Sequence, residues 1–88
     1  QEAEAQISVF PNPGTTVNTL RYEVRQSGRV TIELLDRNAS LIKTVFSGEQ
    51  EAGEFEIEVD LTQLNGQVFY YRIIDAAGAS TERFVVRH

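Results

Sequence analysis

The sequence predicts an all-β, seven-stranded immunoglobulin-like antiparallel β-sandwich, and three observations support this fold class. Short segments in which apolar and polar residues alternate run from Ile7 to the end of the chain. Gly, Asn, Asp and Ser residues separate these segments at nearly regular spacing, and no segment shows the 3.6-residue period of a helix. Many short strands with regular turns are typical of a sandwich or a barrel.

The first three predicted strands are 7–9, 20–25 and 30–34, and each places apolar residues on a single face. Pro11 ends the first strand, because proline has no amide hydrogen to donate. A turn at 36–40 follows the third strand, and there Asn38 is the residue best suited to a left-handed conformation. The predicted core positions are Ile7, Val9, Leu20, Tyr22, Val24, Val30, Ile32 and Leu34.

The remaining four predicted strands are 41–46, 54–61, 68–74 and 80–87. A charged loop at 47–53, a corner at 62–67 and a turn at 75–78 separate them. The strand 54–61 has the clearest alternation, and 68–74 is rich in the aromatic and branched residues that favour strands. Phe69, Tyr71 and Ile73 are expected in the core, with Tyr70 alone exposed.

Composition restricts the function classes. The chain has 88 residues, a size typical of one small domain, and its net charge of −5 argues against nucleic-acid binding. It has no Cys, and no apolar run is long enough to span a bilayer, so no direct membrane insertion is expected. Because the chain lacks Met and opens with Gln1, we expect it to be a piece of a longer protein. Residues 1–6 are interpreted as a polar linker from an upstream passenger, with a short helical turn as the alternative, and residues 7–88 as the sandwich.

Candidate chemistry in the sequence is sparse, and no cofactor, metal or catalytic site is expected. The acidic row Glu54, Glu56, Glu58 and Asp60 could ligate calcium or form an acid–base pair, but its spacing of two is that of a strand's solvent face. His88 is the single histidine, so neither zinc nor a Ser-His-Asp triad is expected. Asn38-Ala39-Ser40 matches a glycosylation sequon, although its turn role accounts for Asn38.

Several segments, read in order, resemble the C-terminal sorting domain of proteins exported by the type IX (Por) secretion system of Gram-negative bacteria. The likeness covers about residues 7 to 88. It begins with the stiff brace Phe10-Pro11-Asn12-Pro13 and continues through 29–36 and 41–45. It then includes a corner and strand with Leu64, Gly66, Gln67, Phe69 and Tyr71, and it ends with Arg83-Phe84-Val85-Val86-Arg87.

The resemblance also shows departures from the family's pattern. Ala39 stands where the family usually has Gly, so either Asn38 takes the left-handed position or Ala39 bears strain. A gap-free comparison puts Gln67 in place of Gly and Phe69 in place of Tyr. We therefore expect the corner to lack a hydroxyl hydrogen bond while it keeps an apolar ring.

The resemblance implies a sorting signal without catalytic activity. Its implied partners are the type IX secretion apparatus at the outer membrane, a sortase-like peptidase and the upstream passenger, and its implied route runs through the periplasm to the cell surface or medium. The strand Arg83–Arg87 is the candidate for recognition, by β-augmentation of its unpaired edge. The brace is interpreted as a hinge between the linker and the sandwich that aims the first strand.

Two alternatives from another class stay open on the sequence alone. An immunoglobulin-like accessory module of an extracellular enzyme could act as a spacer or could bind carbohydrate through the Phe69-Tyr70-Tyr71 cluster. Hook-capping proteins of flagella carry a similar structural module. An enzyme is the least supported function.

Overall fold

The chain folds into two packed antiparallel sheets. The computed structural model describes residues 7–14, 16–64 and 68–87. Within these residues the strands are β1 (Ile7–Phe10), β2 (Val17–Val24), β3 (Gly28–Leu35), β4 (Leu41–Gln50), β5 (Gly53–Asp60), β6 (Val68–Asp75) and β7 (Gly78–Val85). The sheet orders are β1-β2-β5 and β4-β3-β6-β7. The predicted seven-stranded β-sandwich is confirmed.

Some predicted features lie outside the described residues. They are the linker Gln1–Gln6, the corner positions Gly66 and Gln67, and His88. In the part of the chain that the structure describes, no helix is long and apolar enough to cross a bilayer.

The core lies between the two sheets and is built from the predicted faces. The alternate residues predicted to point inward on β2, β3 and β6 are all buried, and Ile7 and Val9 pack against this core from β1. Tyr71 stacks on Phe84 with ring centroids 4.4 Å apart, so the middle of the core joins β6 to β7. The alternation in the sequence therefore predicted the buried faces correctly.

The strand β4 is longer than predicted. Its backbone continues to pair with β3 as far as Gln50, opposite Gly28, so most of the predicted loop 47–53 belongs to strands. Backbone pairing does not depend on side-chain polarity, and an edge strand can carry polar residues without burying them. The connection to β5 is reduced to Glu51 and Ala52.

The turn between β3 and β4 is organised by Asp36. Its Oδ1 atom accepts the amides of Asn38 and Ser40 at 2.8 and 2.9 Å. The left-handed residue is Ala39, with φ of 66°, so of the two alternatives that the sequence left open the structure has Ala39, and not Asn38, in this conformation. Ala39 lies between the two residues whose amides Asp36 Oδ1 accepts, and its own amide donates to the Asp36 carbonyl at 2.9 Å.

The sequence suggested that the Pro-Asn-Pro brace is a hinge between the linker and the sandwich. In the structure the brace lies within the sandwich. β1 precedes it and already pairs with β2 in the three-stranded sheet. Immediately after it, Gly14 forms a parallel bridge with Val86, beyond the end of β7 in the other sheet. The brace therefore carries the chain from one sheet to the other.

One polar pair crosses the apolar core. The Tyr71 hydroxyl donates to Asn18 Oδ1 at 2.7 Å, and both residues are fully buried. Burial raises the pKa of Tyr71 above its ordinary value, so the phenol stays neutral and donates. Asn18 Nδ2 has no hydrogen-bond partner in the described part of the chain. Asn18 therefore depends on Tyr71 for its buried hydrogen bond.

Replacing Ala39 with Gly should stabilise the domain. An L-residue in the left-handed region is disfavoured by about 1 kcal/mol relative to Gly, partly offset by the greater freedom of Gly in the unfolded chain. Urea unfolding should show a gain of up to about 1 kcal/mol for Ala39→Gly. Asn38→Gly is the control and should be neutral or destabilising, and a larger gain at 38 than at 39 would contradict the assignment.

Removing the Tyr71 hydroxyl should destabilise the fold. Tyr71→Phe leaves the buried Asn18 without its partner, and we expect the free energy of unfolding to fall by about 1–3 kcal/mol. Tyr22→Phe is the matched control, because the Tyr22 hydroxyl donates to Gln50 at a less buried site. If urea unfolding shows the same loss of unfolding free energy for both variants, the buried bond to Asn18 stabilises the fold no more than the bond from Tyr22 to Gln50 does.

Candidate functional site

The candidate site is the end of β7, where the chain's first and last described segments meet. Asn12, Pro13 and Gly14, here called the clasp, lie along the outer edge of this strand. Val85 N–H donates to Asn12 Oδ1 at 3.0 Å, Gly14 N–H donates to the Val85 carbonyl at 2.8 Å, and Arg87 N–H donates to the Gly14 carbonyl at 2.8 Å. The clasp therefore occupies the edge from Val85 to Arg87.

Gly14 fits the clasp because it lacks a side chain. A Cβ atom at this position would lie 2.7 Å from Leu61 Cδ1 and 3.4 Å from the Pro11 carbonyl oxygen. Leu61 is fully buried, so it has little room to move aside. The close approach lets the backbone of Gly14 reach the last strand.

The rest of the β7 edge is open. Both backbone groups of Val85 point away from β6, toward the clasp. Because backbone direction alternates along a strand and the β6–β7 register is regular, the groups of Ala79, Thr81 and Arg83 also point away from β6. No described residue pairs with them. The open edge is thus Ala79–Arg83.

These contacts correct the sequence-based picture of the segment Arg83–Arg87. Its edge was expected to be unpaired, but the clasp pairs with Val85 and Arg87. Phe84 and Val86 are fully buried in the core and so cannot be displayed to a partner, whereas Arg83 and Arg87 are exposed and Val85 is half-buried. The apolar residues here are inward-facing strand residues, and only the arginines are freely presented.

Two other motif positions, Phe69 and Leu64, pack against the core beneath this region. Phe69 is buried and packs in a tilted arrangement on Phe84, with centroids 5.9 Å apart, while Leu64 is half-buried against the core. Leu64 N–H donates to the Leu61 carbonyl at 2.9 Å. Phe10, the first residue of the brace motif, is exposed, and the Arg21 guanidinium lies 5.4 Å from its ring centroid.

The acidic row on β5 is a solvent face. All four carboxylates are exposed, and Glu56 forms an ion pair with Arg21 at 2.6 Å. Hydrogen bonds from Thr62, first from its amide, lower the pKa of Asp60, which opposes a role as a proton donor. In the described residues, no cluster of His, Cys, Asp or Glu has a geometry that could hold a metal ion.

Two surface features bear on binding. An open depression of about 220 Å³ lies beside Leu64 and is lined by Leu34, Ile42, Lys43, Asp60 and Gln63.

Tyr70 is half-buried rather than exposed, and its cross-strand neighbours are Leu35 and Arg83. It is the single aromatic ring on the outer face of the described four-stranded sheet, so the Phe69-Tyr70-Tyr71 cluster presents no multi-ring platform for a sugar.

Sequence reasoning missed several residues that position the site. Gly14 was assigned only to a turn, and Asn18 received no role. Asp75 was expected to be a turn residue, but it is buried and accepts the amides of Ala77 and Gly78 as well as the Arg25 guanidinium. The signal that could have been used was an Asn at an inward position of β2, because a polar residue there requires a buried partner.

Comparison with solved structures identifies the fold, and comparison with protein families identifies the family. The fold is similar to that of a solved structure, the dimeric latent PorU from Porphyromonas gingivalis, with a TM-score of 0.69 and 19% sequence identity. The match covers 93% of this chain and 9% of that chain. No curated protein matches this chain.

The family assignment comes from the sequence. Residues 8–87 match the family described as the secretion system C-terminal sorting domain. The chain belongs to this family, and the domain is a sorting signal for the type IX secretion system. A sorting-signal domain of this kind is not itself catalytic.

Removing the Asn12 side chain should loosen the clasp without unfolding the domain. Asn12→Ala takes away the acceptor of the Val85 amide, and we expect a loss of about 0.5–1.5 kcal/mol with faster hydrogen exchange at Val85. Asn12→Asp keeps an acceptor oxygen and should retain the protection. Unchanged Val85 exchange in Asn12→Ala would contradict the clasp as described.

Proposed function

We propose that this domain directs an upstream passenger through the type IX apparatus by presenting the open edge of β7 to a strand of an outer-membrane component. The passenger joins the domain through the linker 1–6, crosses the periplasm folded, and reaches the cell surface or medium. A sortase-like peptidase removes the domain near the linker. The family assignment of residues 8–87 supports the secretion route.

The observation that carries the docking step is the open edge Ala79–Arg83. Three residues present outward amide and carbonyl groups with no described partner, and an extended segment can pair with such groups. The clasp limits this pairing, because the edge is already filled from Val85 onward. A partner strand therefore pairs with Ala79, Thr81 and Arg83.

The first step of the test asks whether the domain sorts at all. A reporter carrying this domain at its C-terminus should reach the surface or medium of a type IX-competent strain, and the same reporter without the domain should stay inside. Retention of the wild-type fusion would overturn the proposed function itself.

The second step tests the edge. Thr81→Pro removes an outward amide, so it blocks added pairing while the bonds to β6 are kept, and secretion should fall about tenfold or more. Thr81→Ala keeps the amide and should secrete normally. Protease resistance of the retained fusion establishes that the proline variant folds. Normal secretion of a folded Thr81→Pro fusion would overturn docking at this edge.

A further inference from the structure

We propose that the outer face of the four-stranded sheet, at the end where β7 finishes, is a second contact surface that binds an acidic, partly apolar segment of a protein in the secretion apparatus. This inference rests on the proposed function and adds the chemistry of the partner. The surface, here called the arginine patch, consists of Leu41, Val68, Tyr70, Arg83, Val85 and Arg87.

The strand register assembles the patch. Leu41 pairs with Leu35, Leu35 pairs with Tyr70, and Tyr70 pairs with Arg83, so one row of side chains crosses all four strands. Directly paired residues share a face, and this row lies on the face opposite the core residues Leu34, Tyr71 and Phe84. The patch is therefore a continuous strip, although its members are far apart in sequence.

The strip is apolar in its middle. Leu35 is buried although it is not part of the core cluster between the sheets, and its cross-strand neighbours are Leu41 and Tyr70. Leu41 is 57% exposed, the highest value among the large apolar residues of the described chain. Val68 and Val85 pair with each other and extend the apolar surface by two half-buried side chains. A half-buried tyrosine among apolar neighbours beside arginine has the composition that is enriched at protein interfaces.

The charge of the patch identifies the partner's chemistry. Arg83 and Arg87 are exposed, and the side chain of neither forms an ion pair or a hydrogen bond within the described part of the chain; the same holds for Arg37 in the adjoining turn. By contrast, Arg21, Arg25 and Arg72 each bridge a carboxylate.

This local basic charge stands out in a chain whose net charge is −5. The acidic side chains of β5 are on the other sheet, so they do not neutralise it. Unpaired arginines bind carboxylates well because the guanidinium can donate two parallel hydrogen bonds. Charge complementarity therefore favours an acidic segment.

The patch and the open edge can be occupied together. Arg83 contributes its outward backbone groups to the edge and its side chain to the patch. A partner strand paired with β7 would place its own side chains beside those of Thr81 and Arg83 on the outer face. A carboxylate at that position would lie within reach of Arg83, which gives the added strand a preferred sequence and register.

The experiment reverses the charge in the reporter fusion that carries the whole domain. Arg83→Glu combined with Arg87→Glu should lower secretion about tenfold or more, and Arg83→Lys with Arg87→Lys should keep most of it. Arg83→Glu alone should also lower secretion, and its charge-matched control is Arg29→Glu, an exposed position on the same outer face about 20 Å away along β3. Protease resistance of the fusion distinguishes a docking defect from misfolding.

The outcomes separate this inference from the function on which it rests. If the wild-type fusion is secreted and the folded double-Glu variant is secreted equally well, the proposed role of the arginine patch is overturned, while the sorting function of the domain is not. If Arg29→Glu lowers secretion as much as the change at Arg83 does, the role of the patch is also overturned, because the loss would then follow from net charge alone. Binding of the wild-type fusion, but not the double-Glu variant, to phosphatidylglycerol vesicles would overturn the assignment to a protein. A wild-type dimer in sedimentation that the double-Glu variant does not form would also overturn this assignment, because a second copy of the chain would then occupy the patch.

Discussion

The structure depends on the pairing of Gly14 with the end of the last strand. Through this contact the segment after β1 leaves one sheet and joins the other, so the two ends of the described chain hold each other. Gly14 can make the contact because nothing larger than hydrogen fits beside Leu61. The brace before it has fixed backbone geometry and places the Asn12 side chain on the Val85 amide. The point at which the chain crosses between the sheets therefore determines how much of the β7 edge is left without a backbone partner.

The edges of the two sheets differ in how far they oppose added pairing. β1 has only four residues, β5 carries a row of carboxylates, and β4 has two register shifts opposite β3 that interrupt a regular ladder. β7 pairs regularly with β6 and carries fewer charges than β5. Among the described strands, it is the edge at which a partner strand meets the least resistance.

A sorting domain needs specific recognition rather than chemistry, and the distribution of charge is suited to that task. Each of the ion pairs Arg21–Glu56, Arg25–Asp75 and Arg72–Glu33 joins neighbouring elements, and these arginines are committed to the fold. The exposed pair Arg21–Glu56 contributes little to stability, roughly 0–1 kcal/mol, whereas Asp75 and Glu33 of the other two pairs are largely shielded from solvent. Of the arginines without an ion pair in the described residues, Arg83 and Arg87 lie near the end of β7 and Arg37 in the adjoining turn, whereas Arg29 donates to Ser47 at the far end of β3. The arginines that join elements of the fold are thus different from Arg83 and Arg87, to which we assign the proposed contact with a partner.

Much of this fold followed from the alternation of residues along the chain. The period of two determined the strands and the buried faces of β2, β3 and β6, because side chains alternate strictly on an extended backbone. The motifs from Phe10 to Arg87 determined the family. Tertiary structure decided the rest: that Ala39 rather than Asn38 is left-handed, that Asn18 pairs with Tyr71, and that the clasp fills the edge at Val85. These features depend on contacts between residues distant in sequence, and a local pattern contains no information about which distant backbone or side chain completes a hydrogen bond.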